Sequence, residues 1–126
     1  MNKRLLREEM IKIIYTSIIH DDIDLSDKDT NIQSIYTDYQ LHLDEIDEII
    51  EAHLYNWSIN RLNYVDLAII RYAVYEYLYQ DTPKEVMINE AIEMTKKYAN
   101  LDDDQARKFN NRLLQNIVDG LSDQDG

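Results

Sequence analysis

The sequence predicts an all-α fold, and three observations carry that expectation. Only two glycines and one proline occur in 126 residues, and both glycines fall among the last seven; a β protein needs turn residues about every eight to twelve positions. The run Tyr64–Leu78 (YVDLAIIRYAVYEYL) is apolar or aromatic at twelve of its fifteen positions. Elsewhere apolar residues recur at i, i+3/i+4, the helical spacing. A helix that is apolar all round has no solvent face and belongs inside a bundle. The expectation is a single domain, residues 1–126, of about six helices around the central helix Tyr64–Leu78. Asp66, Arg71 and Glu76 are the three charges on that helix and point in different directions. A charge there needs a partner, so Arg71 and Glu76 read as structural pairs.

The elements follow in order. A first helix is expected over Lys3–Ile19, with Leu6, Met10, Ile13, Ile14 and Ile18 as its apolar stripe. Lys3, Arg4 and Arg7 crowd its first turns, where the helix dipole disfavours positive charge; an anion-binding patch is the functional explanation, a frayed solvated terminus the bland one. His20–Asp29 is an acidic loop with no register for an EF-hand. Thr30 is expected to cap the next helical stretch, whose period runs from Ile32 to Trp57 with a break near Leu43–Asp44, where Asp44 can start a second helix. Ser58–Asn63 is a short connection with a helical turn.

Thr82, Pro83 and Glu85 form a capping-box pattern with proline at the first helical position, and the helix they open is expected to reach Tyr98. Lys96 and Lys97 in its last turn have a sufficient reason in the helix dipole. Asn100–Asp104 is a second acidic loop supplying an N-cap. The last helix is expected over Asp103–Asp119, with Gly120 as its C′ residue. Ala106, Phe109, Leu113 and Ile117 form one face; Arg107, Lys108, Asn111, Arg112 and Gln115 form another that can meet phosphate. Asn110, at the edge of the apolar face, needs partners if buried.

Composition excludes several functions. With no cysteine there is no disulfide framework, zinc ribbon or thiol nucleophile. His42 and His53 lack carboxylate partners at ligand spacing, and Glu51 precedes His53 by two rather than three residues, so no di-metal bundle is expected. No metal, cofactor or catalytic residue is expected. No apolar run reaches a membrane span and no signal pattern opens the chain, so a cytoplasmic location is expected. The formal net charge of −12 argues against general nucleic-acid binding. Its distribution is uneven: residues 21–60 carry eleven carboxylates against one cation, whereas residues 1–20 are net positive. Either end of the chain can still present a basic patch.

Three motifs in order are similar to the NusB transcription antitermination family: Ile69–Ile70–Arg71–Tyr72–Ala73–Val74–Tyr75–Glu76–Tyr77, then Val86–Glu93 (VMINEAIE), then Lys108–Phe109–Asn110–Asn111–Arg112–Leu113–Leu114. Asp47–Glu48–Ile49–Ile50 and Trp57–Leu62 match the stretch before the first motif, and Leu6–Arg7–Glu8 through Ile14–Tyr15 looks like the family's opening helix. The resemblance implies an all-α, non-enzymatic factor. It would bind boxA-type single-stranded RNA together with NusE, a small-subunit ribosomal protein, in an RNA polymerase antitermination complex that reads through terminators, notably in rRNA operons.

Carried over by position, the implied RNA-binding residues are Lys3, Arg4, Arg7, Tyr98, Arg107, Lys108, Phe109, Asn111 and Arg112. Phe109 has an equal claim to the core. The chain departs from the family in a thinner arginine cluster, in a helix missing between the first helix and Ile32, and in Asn110 and Arg112 within the third motif. The alternative is a NusB-like protein-interaction module without RNA binding, and a homodimer is among the expected assemblies.

Overall fold

The computed structural model describes residues 1–99 and 104–125, with side chains described through residue 122. Six α-helices occur among the described residues, and no strand: α1 (Lys3–Ile19), α2 (Thr30–Leu41), α3 (Leu43–Ala52), α4 (Tyr64–Tyr79), α5 (Lys84–Tyr98) and α6 (Gln105–Asp125), with a 3-10 turn at Ile59–Arg61. α4 packs against α1, α3, α5 and α6. Nine of its residues are buried, from Leu67 through Glu76 except Arg71. The all-apolar stretch is therefore the axis of the bundle, and one continuous core runs from Met10 through Val118.

The charges on α4 are paired as a buried charge requires. Arg71 donates from Nε and an Nη to the two carboxylate oxygens of Asp47, both at 2.8 Å, which fixes α3 on α4. Glu76 accepts from Arg7 Nε at 2.6 Å, which fixes α1 on α4. Asp66 accepts from Asn110 Nδ2 at 3.1 Å, and the same amide donates to Thr95 Oγ1 at 3.0 Å. Asn110 thus ties α6 to α4 and α5, which is its reason for being fully buried. Burial raises the Asp66 carboxyl above the ordinary aspartate range, opposed by the Asn110 hydrogen bond.

Several local expectations are corrected. Asp29, not Thr30, caps α2: its Oδ1 accepts from the Ile32 amide at 2.8 Å. The break in the long helical stretch falls at His42, and α3 starts there without a side-chain cap, so Asp44 lies inside the first turn. α3 ends at Ala52, leaving Leu54 and Trp57 outside it. The capping box at Thr82 does not form. Pro83 is the N-cap residue, and Thr82 Oγ1 instead donates to Glu76 Oε2 at 2.9 Å. A buried carboxylate with a second oxygen to satisfy recruits the hydroxyl more strongly than an exposed helix start does. The N-cap expected from the Asn100–Asp104 loop falls largely on residues 100–103, which lie outside the described residues, and α6 is described from Gln105 rather than from Asp103. Between α1 and α2, residues 20–29 carry only a turn, held to α1 by Lys28 Nζ donating to Glu9 Oε1 at 2.6 Å.

Gly120 does not end α6; the helix continues to Asp125. Its lack of a side chain has a different cause. A Cβ at Gly120 would fall well inside contact distance of His53 Nε2 and 3.3 Å from Cδ2. The His53 ring cannot easily turn away, because its Nδ1 lies 2.7 Å from the Ile49 carbonyl. Gly120→Ala sets a helix-propensity gain of about 1 kcal/mol against an overpacking cost of about 1–3 kcal/mol. A net loss of about 1 kcal/mol is expected in urea unfolding, and adding His53→Ala should turn the Gly120→Ala change into a gain.

Candidate nucleic-acid interface

The first cluster lies where the start of α1 meets the end of α5. Asn2 caps α1, its Oδ1 accepting from the Leu5 amide at 2.8 Å, which presents Lys3 and Arg4 in the first turn. Both are exposed. Arg4 reaches across to α5 and donates to both oxygens of Glu90, at 3.1 and 2.9 Å, and this hydrogen-bonded charge raises its pKa further. Arg7 is different. It is buried, paired with Glu76, and has a second carboxylate, Glu90, at 3.9 Å. Burial works to lower its pKa, and the hydrogen bond and charge of Glu76, with Glu90 and Tyr72, together more than reverse this. Arg7 is a strut between α1 and α4, so the expectation that it meets RNA is corrected: the charge that sequence spacing grouped with Lys3 and Arg4 points inward.

At the end of α5, Glu8 Oε1 accepts from Lys97 Nζ and from the Tyr98 hydroxyl, the latter at 2.7 Å. These bonds hold the Glu8 carboxyl below the usual glutamate range, Lys97 first and Tyr98 second, and raise the pKa of both donors. Lys97 also sits 5.4 Å from the Tyr98 ring centre. Arg4, Glu8, Lys96 and Lys97 line a shallow depression of about 270 Å³. Lys97 therefore belongs to this cluster, although its helix-dipole explanation had seemed sufficient from sequence.

The second cluster is on α6. With Asn110 turned inward, a rotation of 100° per residue places Lys108 opposite the core. Arg107 and Asn111 fall on one flank, Phe109, Arg112 and Asn116 on the other. Lys108, Phe109, Asn111 and Arg112 are all exposed, while Arg107 is half-buried and pairs with Asp104 at 3.1 Å. Phe109 is 40% exposed and so is not a core residue. With Arg112, Trp57, Tyr55 and His53 it lines an open groove of about 180 Å³.

Trp57 and Tyr55 were missed as candidates because the helical period counted Trp57 into the core. In the fold it is 41% exposed and Tyr55 more so. Asn56 between them takes a left-handed backbone, φ 59°, a conformation asparagine tolerates better than most residues; it lies in the turn that follows α3. Arg61 lies over the Trp57 ring, 4.4 Å from its centre. That Trp-x-x-x-Arg spacing was the available signal.

Both α1 and α6 are tied to the C-terminal half of α5, α6 through the core and α1 at the surface. Asn110 of α6 bonds to Thr95, and Glu8 of α1 bonds to Tyr98, one turn later. Exposed cations, hydrogen-bonding groups and rings suit single-stranded nucleic acid, in which phosphates are held by charge and bases stack on aromatic faces. Among the described residues no group of three or more histidine, cysteine or carboxylate side chains could hold a metal. His42 instead stacks on Tyr79 with ring centres 3.8 Å apart and approaches Asp38 at 3.5 Å. Among the described residues, no helix is long and apolar enough to cross a membrane.

Comparison with known proteins agrees with this architecture. The model of the NusB family matches residues 2–119. The transcription antitermination protein NusB of Clostridium botulinum is 36% identical over 134 residues, covering 94% of this chain and 98% of the relative. The same-named protein of Staphylococcus epidermidis is 44% identical over 97 residues, covering 76% and 73%. Among solved structures, T. maritima NusB superposes with a TM-score of 0.78 at 30% identity, covering 94% of this chain and 92% of the other. A chain in a crystal structure of a plectonemic RNA supercoil gives a TM-score of 0.80 at 25% identity, covering 94% and 95%.

Proposed function

Since the chain belongs to the NusB family, we propose that it is an RNA-binding transcription antitermination factor, active in the cytoplasm and without catalytic function. It binds boxA-type single-stranded RNA together with NusE and promotes read-through by RNA polymerase, notably in rRNA operons. The observation that carries this reading is the open groove in which the exposed rings of Phe109, Trp57 and Tyr55 stand beside the Arg112 cation.

The RNA surface comprises Lys3, Arg4, Tyr98, Lys108, Phe109, Asn111 and Arg112, with Arg107 at its edge. Lys97, Tyr55, Trp57 and Arg61 are added by their position. Lysine and arginine hold the phosphates, and Phe109 and Trp57 offer faces to unstacked bases. The carboxylates of residues 21–60 lie on the 20–29 loop, α2 and α3 and discourage non-specific binding to nucleic acid.

Fluorescence anisotropy with a labelled boxA-type RNA and a scrambled control, with and without NusE, tests the reading at several salt concentrations. Sequence-selective binding that tightens with NusE and weakens with salt is expected. Removing two phosphate contacts in Arg4→Ala/Lys108→Ala should flatten the slope of log affinity against log salt by about 1.4. An unchanged slope overturns the assignment of these two residues. No RNA binding under any condition, by a folded protein, leaves the interaction module as the function.

A further inference from the structure

We propose that Glu8 is a built-in competitor for RNA phosphate: its carboxylate occupies Lys97 and Tyr98 in the free protein and must give them up when the strand binds. The inference rests on the RNA-binding reading above. Its ground is geometric. One oxygen, Glu8 Oε1, accepts from both the Lys97 ammonium and the Tyr98 hydroxyl. Glu8 is one turn along α1 from Arg4, which is itself held by Glu90. The side chain of Glu8 is only 12% exposed while that of Lys97 is 57% exposed. The anion is therefore tucked under the cation, and a strand arriving from solvent meets the lysine first.

A phosphate oxygen presents the same acceptor chemistry as the carboxylate, so the two compete for one pair of donors. The fold does not need the negative charge at Glu8. The buried Arg7–Glu76 pair already fixes α1 on α4, and Arg4–Glu90 fixes its first turn on α5. A neutral oxygen at position 8 would still accept the Tyr98 hydroxyl.

The consequence is a threshold. Weak, non-specific strands fail to displace Glu8, and a strand that also engages the α6 groove succeeds.

Glu8→Gln tests this with the labelled boxA-type RNA, alongside Glu48→Gln, which removes an equal charge from the exposed side of α3. At low salt Glu8→Gln should bind roughly two- to fivefold tighter than wild type, the range an exposed ion pair spans. Its salt slope should steepen by about 0.7, the contribution of one freed cation to single-strand binding. The boxA-type RNA should gain at least as much as the scrambled RNA, which leaves the ion pair in place and has less displacement cost to recover. Lys97→Ala should cost more affinity in the Glu8→Gln background than in wild type, a coupling that a general loosening of α1 does not produce.

Affinity equal to wild type, or a gain no larger than that of Glu48→Gln, overturns the proposal while RNA binding by wild type keeps the functional reading. Absence of RNA binding in wild type and in every variant overturns both. Should Glu8→Gln melt early, the coupling is read instead from Glu8→Asp. Its shorter side chain keeps the charge but draws it back from Lys97, and it should give a smaller gain in the same direction; no gain overturns the proposal.

Discussion

Arg7→Met is expected to destabilise the protein by about 3–5 kcal/mol, the usual penalty for removing one partner of a buried ion pair. Both side chains are about 9% exposed and meet at 2.6 Å. Without Arg7, the Glu76 carboxylate keeps only the Thr82 hydroxyl on its other oxygen, too little to replace a guanidinium in a dry setting. The size of the effect comes from the uncompensated charge rather than from the worth of the pair. Arg7→Met/Glu76→Leu should therefore recover most of the loss, since apolar replacements of a buried pair are often neutral or better.

Urea unfolding of the two single variants and the double variant measures this. A single-variant loss under about 1 kcal/mol would mark the pair as effectively solvated. The same series separates structure from binding. Under conditions where Arg7→Met stays folded, its salt slope for RNA should match wild type, because Arg7 meets no phosphate.

Phe109→Ala is expected to weaken RNA binding by roughly 5- to 150-fold, the range set by the loss of one base–aromatic stack worth about 1–3 kcal/mol. Trp57→Ala should act similarly, with a further loss of order because Arg61 no longer has a ring to cover. Neither substitution removes a charge, so the salt slope should stay where it is while the affinity drops. Lys108→Ala should do the reverse, flattening the slope with a modest loss. Phe109→Leu keeps most of the apolar area but not the π-face and should behave like Phe109→Ala; Phe109→Tyr should behave like wild type. If Phe109→Leu binds as tightly as wild type, the ring packs against the groove wall and stacks on no base. Because Phe109 is substantially exposed, thermal stability should change little, so a large drop in Tm would also return it to the core.

The candidate site was partly legible before the fold was known. Lys108, Phe109, Asn111 and Arg112 could be placed on one helix by counting, and all four are exposed. The first-helix cations could also be grouped by counting, but their fates differ: Arg4 lies over Glu90 in solvent, whereas Arg7 is buried on Glu76. Counting also put Trp57 in the core, because the helical period continued past the residue where α3 actually stops. Lys97 had a complete local explanation, yet its partner Glu8 lies far away in sequence.

The sequence by itself determined the helices, their order and the axis of the bundle, because apolar spacing and the scarcity of glycine and proline act over a few residues at a time. It also carried the family motifs, which are local strings. Only the tertiary structure decided which charges pair and which remain on the surface. Arg7, Thr82 and Gly120 each had a plausible local role, as an RNA contact, a cap and a helix stop, and Asn110 stood at the edge of an apolar face with no partner in view. Each is instead committed to a residue elsewhere in the bundle: Glu76 for Arg7 and Thr82, Asp66 and Thr95 for Asn110, and the His53 ring for Gly120. A buried polar group must find its partner wherever the packing places one, and a pairing across the bundle leaves no period in the chain.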